Sequence, residues 1–133
     1  MEETEVEVEK VEDVSQKGTP IGVLTGTWKV VDFKDSLVTI HPDTIASAKA
    51  TFLTSFYTFT NDSVYTVRNN RIPSGDVGKW AMNKEQVGFY ISFLSDQEKY
   101  KDAYQMMFLD ENTMQWVKVI PELGKYAMLL KKQ

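Results

Sequence analysis

Residues 24–33 read LTGTWKVVDF, and this stretch decides the fold class. Thr, Trp, Val and Phe dominate it, and these are the β-branched and aromatic residues that favour strands. The stretch therefore predicts a first strand over residues 24–34. Its tryptophan, Trp28, is open to two interpretations: an ordinary core aromatic, or the mark of a ligand-carrying barrel.

The rest of the chain continues in short strand-like segments. From Gly22 onward they are separated by turn residues at intervals of roughly 8–12 residues, the spacing of a β-sandwich or barrel. A hairpin is indicated at Asn61 and Asp62, because Asn and Asp tolerate the backbone angles of tight turns. The strands predicted after the first cover residues 55–60, 63–69, 77–83, 86–95, 103–110, 113–120 and 125–132.

In one segment the apolar residues recur at helical spacing instead of the spacing of a strand. In HPDTIASAKATFLT, Asp43 precedes an alanine-rich run and is predicted to cap a helix over residues 44–54. Ile45, Ala48 and Phe52 then fall on one face at helical spacing. We expect the helix to close one end of the sandwich or barrel that the strands form.

Short connections make successive strands antiparallel neighbours, because a parallel pair needs a crossover of about a dozen residues or more. Eight strands in such a meander leave two open edges unless the first pairs with the last. The sequence therefore predicts a mainly all-β protein: an eight-stranded antiparallel up-and-down barrel with one short helix between strands 1 and 2. A barrel of this size is either filled by side chains or holds one small ligand.

Charge is concentrated at the start of the chain. Residues 1–20 hold seven of the 19 acidic side chains and only two of the 15 basic ones, so the remainder carries twelve acids against thirteen bases. Residues 1–21 are predicted to be a flexible acidic leader, and residues 22–133 to be the barrel domain. The nearly neutral body argues against nucleic acid as a partner. No apolar run is long enough to predict a transmembrane segment.

The residues give no sign of catalysis. The chain has no cysteine and one histidine, His41, which alone cannot hold a transition metal and is expected to be an exposed loop residue. No serine lies in a nucleophile-elbow sequence, and the glycines form no phosphate-cradling motif. We therefore expect a protein that is not an enzyme and that has no metal or cofactor.

The aromatic residues suggest binding instead. In the fifth strand Phe89, Ile91 and Phe93 share one face and Tyr90 and Leu94 the other. Both faces are apolar in places, which indicates either a ligand pocket with polar anchors or a tightly packed interior. The predicted ligand-binding residues are Tyr57, Tyr65, Arg68, Trp80, Tyr90, Tyr104 and Trp116.

Four motifs follow one another along the chain: Gly26-Thr27-Trp28, YTFTNDSVYTV, Gly78-Lys79-Trp80 and a last strand that ends in lysines. Their order resembles the small bacterial lipocalin-like domains best known from Bacteroidetes envelope proteins, and the likeness covers about residues 22–132. It implies a calycin-type barrel whose base is closed by Gly26 and Trp28 beneath a basic side chain, either Lys131 or Lys132. Arginine usually has that role in the family, and animal lipocalins place their helix after the last strand. Fatty-acid-binding proteins, with ten strands, place two helices in the first connection.

Two functions follow as hypotheses. The first is non-enzymatic binding of a small apolar or amphipathic ligand inside the barrel, which a completely filled interior would contradict. The alternative is a protein-interaction or accessory module of the bacterial cell envelope, which predicts a contiguous apolar patch on the outside. The leader resembles the spacer that follows a lipid-anchored cysteine, but the cysteine is absent. We expect either an envelope location, if a signal has been removed, or a cytoplasmic one.

Overall fold

The computed structural model describes residues 20–86, 88–96 and 101–133, in which the chain forms a closed barrel of eight antiparallel strands. Each strand pairs with its neighbours in sequence, and the first pairs with the last. The elements are α1 (Pro20–Leu24), β1 (Gly26–Asp35), α2 (Pro42–Phe52), β2 (Phe56–Phe59), β3 (Val64–Arg68), β4 (Asp76–Lys84), β5 (Phe89–Ser95), β6 (Lys101–Asp110), β7 (Thr113–Ile120) and β8 (Gly124–Lys132). The predicted fold class is confirmed.

The barrel closes along β1 and β8. Their pairing runs from Trp28 opposite Lys132 to Asp35 opposite Tyr126, with a bulge between Val30 and Asp32. An inserted residue resets the alternation of a strand. As a result Val30 and Phe33 are both buried, although they are three positions apart.

Alternation along the strands separates an apolar interior from the outer face. Ile91 and Phe93 are buried on β5, whereas Tyr90 and Leu94, which flank this pair on either side, are exposed. The same holds on β6, where Tyr104 and Met106 are buried and Met107 is exposed. The apolar residues on one face of each of these strands therefore pack in the interior. Those on the other face lie on an outer surface that is partly apolar.

The start of the domain differs from the prediction. The predicted leader lies outside the described residues except for positions 20 and 21, which belong to α1, and the first strand begins at Gly26 rather than at residue 24. A helix of five residues is too short to be stable on its own. It is held by two side chains of the barrel, because Trp28 Nε1 donates to the Leu24 carbonyl at 2.8 Å and Lys132 Nζ to the Val23 carbonyl at 2.6 Å.

The predicted helix over residues 44–54 is present as α2, two residues earlier. The predicted cap, Asp43, is wrong: His41 is the N-cap, and its Nδ1 accepts a hydrogen bond from the Asp43 amide at 3.0 Å. Pro42 fits the first helical position because its missing N–H needs no partner there. His41 is exposed, as expected, and its imidazole has this structural role.

Neither of the described helices has the length and apolar character needed to cross a membrane.

Candidate functional site

The two ends of the barrel are built differently. We call the end that carries α1 the base, and the end where β1 stops and β2 starts the mouth. At the base the Trp28 ring is fully buried, and Lys132 Nζ lies 5.2 Å from its centre. Burial lowers the pKa of Lys132, and the ammonium is compensated by the ring and by the Val23 carbonyl. Lys131 is exposed, so Lys132 is the basic partner of Trp28.

Gly26 makes this packing possible. It has φ +125°, a conformation that favours glycine, and a Cβ placed on it would lie 3.3 Å from Lys132 Cε. The base therefore has neither room nor unpaired groups for a ligand among the side chains just described.

The centre of the barrel is filled by aromatic rings. The Trp116 ring stacks on Tyr104 and meets the edge of Tyr57, each with centroids 4.9 Å apart. Phe93 lies 5.4 Å from Trp116, and Phe59 packs edge-on against Trp80 at 5.9 Å. Trp116 Nε1 is buried there, and none of the described residues accepts a hydrogen bond from it. The protein's own side chains thus occupy the lower and middle interior.

Space remains at the mouth. A cavity of about 370 Å³ lies between α2 and the strands, and we call it the mouth cavity. It is lined by Thr51, Phe52, Tyr57, Tyr65, Val67, Asn69, Arg71, Ile72, Asp76 and Phe93. Most of these side chains are apolar or aromatic, and the polar ones are few, which is the usual character of a small-molecule site.

Tyr65 is the most unusual residue of this lining. It is 1% exposed, and its hydroxyl is buried with no hydrogen-bond partner among the residues that the structure describes. Its ring lies against the backbone of Gly78, where an added Cβ would come within 2.8 Å of the ring. Burial, together with the carboxylates of Asp76 and Asp96, raises the pKa of Tyr65 to about 12. The phenol is therefore neutral and retains its proton at physiological pH.

The helix α2 covers the mouth through a few contacts. Phe52 stacks on Phe33 at 5.6 Å and approaches Tyr126 at 5.7 Å. Arg71, in the β3–β4 connection, donates from Nε to Thr51 Oγ1 at 3.0 Å and from Nη2 to Ser47 Oγ at 2.7 Å. No residue of α2 is fully buried. This lid is therefore attached mainly at its C-terminal half, and Ile45 nearer its start is partly buried against the core.

The opposite side of the mouth, formed by β6, β7 and β8, is closed by polar groups. Tyr104 donates from its hydroxyl to Asp102 Oδ2 at 2.8 Å and lies 3.2 Å from the Tyr126 hydroxyl. Lys118 pairs with Asp102, and its Nζ lies 5.0 Å above the Tyr104 ring. Burial lowers the pKa of Lys118. The polar groups of this network form hydrogen bonds and an ion pair with one another. The mouth cavity lies on the other side of the barrel, against β2 to β5.

The predicted site residues fall into three places. Tyr57 and Tyr65 line the mouth cavity. Trp80, Tyr104 and Trp116 are in the packed interior. Arg68 and Tyr90 are on the outer face and do not reach the interior; Arg68 lies over the Phe56 ring at 5.0 Å.

Several lining residues were not predicted. Phe52 belongs to α2, and Asn69, Arg71 and Ile72 belong to the β3–β4 connection. The turn at Asn69 could have been predicted from the sequence, because Asn favours turns of this kind. Its side chain accepts hydrogen bonds from the amides of Arg71 and Ile72. That turn directs Ile72 and Arg71 back over the mouth.

The outside of the barrel carries an apolar depression of about 730 Å³, which we call the outer groove. Its lining includes Tyr90, Leu94, Ala103, Val117 and Val119, with Lys79 and Lys101 beside them. Tyr90, Leu94 and Val119 are exposed.

Comparisons of the chain with protein-family models, with curated proteins and with solved structures found no significant match. In the described part of the chain, no three His, Asp or Glu side chains are grouped in a way that could hold a metal ion.

Proposed function

We propose that the protein binds a small amphipathic molecule, without catalysis, in the mouth cavity beneath α2. The observation that carries the proposal is an aromatic-lined space of about 370 Å³ at the one end of the barrel that the core does not fill. Its volume is within the range of about 300–1,000 Å³ typical of small-molecule sites. The ligand occupies the mouth alone, since the aromatic rings below it leave no continuous lumen.

A relationship to lipocalin-like domains is part of the proposal. It is supported by the base, where Trp28 lies beneath Lys132, the arrangement that the resemblance implied. The family usually has arginine where this chain has Lys132, and an ammonium covers less of an indole ring than a guanidinium does. The hydrogen bond from Lys132 Nζ to the Val23 carbonyl of α1 compensates for the smaller contact with the ring.

Native mass spectrometry of the purified protein tests the binding function, followed by denaturing extraction of any bound molecule. We expect a near-stoichiometric small molecule. Ile72→Trp should abolish its retention, because the indole enters the cavity from the β3–β4 connection. Val38→Trp is the matched control, since Val38 is 55% exposed and outside the cavity lining. Equal retention by both variants would contradict the proposal.

A second candidate function is favoured by the outer groove. Isolated apolar residues are common on surfaces, but a shared depression with Tyr90, Leu94 and Val119 on its walls suits a protein contact. We propose an accessory role at the bacterial cell envelope as the alternative. Leu94→Glu should then abolish a pull-down interaction with envelope proteins, and Leu109→Glu, at an exposed position outside the groove lining, should preserve it.

A further inference from the structure

The Tyr65 hydroxyl needs a partner. Tyr65 lines the mouth cavity, its hydroxyl is buried, and no group of the described residues accepts its proton. A buried hydroxyl without a partner is costly, and such groups are rare in folded proteins. Its neighbours within the interior are rings: Phe93 lies 5.0 Å from the Tyr65 ring, and Tyr57 lies 6.1 Å from Phe93.

The protonation state of Tyr65 decides which atom can complete the contact. With a pKa of about 12 the phenol is neutral and has a proton to donate. An ammonium group only donates, so it leaves that proton unpaired. A carbonyl or ether oxygen accepts it.

The charges around the cavity disfavour an anion at the same position. Asp76 lines the cavity, and the negative charges of Asp76 and Asp96 act on Tyr65. Arg71 also belongs to the lining, but it is exposed at the rim, and its Nε and Nη2 donate to α2. A carboxylate placed next to Tyr65 would face Asp76, and the one cation among the described lining residues, Arg71, already donates to α2.

The remaining walls determine the body of the ligand. Phe52, Tyr57 and Phe93 contribute flat rings, and Val67 and Ile72 contribute aliphatic surface. Flat rings pack best against another flat apolar group.

We infer that the mouth cavity selects an uncharged molecule with a flat apolar body and a carbonyl or ether oxygen that accepts a hydrogen bond from the Tyr65 hydroxyl. This inference rests on the proposed binding function and specifies its ligand class. Tyr65 is then the residue that determines specificity, and the rings of the cavity provide affinity that does not depend on the polar atom.

Two uncharged probes of nearly the same shape test it. Acetophenone carries the carbonyl, and isopropylbenzene replaces it with a carbon. Both are titrated by NMR into the wild-type protein, Tyr65→Phe and Tyr90→Phe. Tyr65→Phe keeps the ring against Gly78 and removes only the hydroxyl, while Tyr90→Phe removes a hydroxyl from the outer face. Near-UV circular dichroism establishes that each variant retains its packing.

We expect Tyr65→Phe to weaken acetophenone binding roughly five- to tenfold, the effect of one hydrogen bond, and to leave isopropylbenzene binding unchanged. Tyr90→Phe should change neither. In the wild type, benzoate and benzylammonium should bind more weakly than acetophenone.

Each other result overturns the inference. If both uncharged probes bind and Tyr65→Phe affects them equally, the cavity binds ligands but Tyr65 does not select them. Tighter binding of benzoate or benzylammonium likewise refutes the ligand class and leaves the binding function intact. If neither probe binds at its solubility limit, the proposed binding function fails together with the inference.

Discussion

The base and the mouth of this barrel each bury an aromatic side chain with a polar group, but the two polar groups differ in their hydrogen bonding. At the base an aromatic ring, Trp28, is fully buried and its N–H is paired with the Leu24 carbonyl. At the mouth another aromatic side chain, Tyr65, is as deeply buried and lines a cavity, but its hydroxyl has no partner among the described residues. The base therefore pairs the polar group of its buried ring, whereas the mouth leaves one that the proposed ligand would complete.

The largest expected effect is on the stability of the base. Trp28→Ala removes a fully buried indole and the bond that holds α1, so the free energy of unfolding should fall by about 3–5 kcal/mol. Phe52→Ala at the mouth, where the ring is half-buried, should lower it by about 1–2 kcal/mol. Urea unfolding measures both, and equal losses would remove the distinction between the two ends.

The next effect is the alkaline pH dependence of the mouth. The folded-state pKa of Tyr65, about 12, is above its ordinary value of 10.0. The stabilising contribution of its proton is therefore complete below pH 10 and is lost as the pH rises towards 12. Between pH 10 and 11.5 the free energy of unfolding should fall by about 1.5 kcal/mol more in the wild type than in Tyr65→Phe. Parallel pH profiles would contradict the burial of this phenol.

A smaller effect is expected from the lysine at the base. Lys132→Met keeps most of the aliphatic stem but removes the contact with the Trp28 ring and the bond to Val23, so we expect a loss of about 1–2 kcal/mol. Lys131→Met is the matched control on the exposed side of β8 and should stay within about 0.5 kcal/mol of the wild type. Thermal unfolding of the two variants tests whether the adjacent lysines differ in this way.

The smallest effect concerns the lid. Arg71→Ala removes two exposed hydrogen bonds to α2 and should lower global stability by less than about 1 kcal/mol. Amide hydrogen exchange in α2 should nevertheless become several times faster, because local opening depends on such contacts. Arg68→Ala, on the outer face, should leave exchange in α2 unchanged. An unchanged rate in Arg71→Ala would mean that the apolar contacts of Ile45 and Phe52 hold the lid without Arg71.

The sequence predicted the barrel well because its strands follow simple local rules. The turn residues that precede Thr113 and the proline that follows Ile120 bounded β7 at residues 113–120, as found, and short turns forced the antiparallel order. The helix α1 could not be predicted, because five residues form it only through bonds from Trp28 and Lys132.

The candidate site was partly predictable. Tyr57 and Tyr65 were identified as polar-tipped aromatics, and both line the cavity. Arg68 could have been left out, because strand alternation places it opposite the face of Tyr65 and Val67. Phe52 and Ile72 become neighbours across the mouth only after α2 and the β3–β4 connection fold over it, which no local pattern encodes.

A methyl NMR titration of the wild-type protein with acetophenone tests binding at the mouth most directly. Binding in the mouth cavity predicts shifts at Val67 and Ile72, with the buried methyls of Met114 and Leu130 unchanged. Shifts confined to Leu94 and Val119 would place the site in the outer groove instead and would contradict a binding site at the mouth.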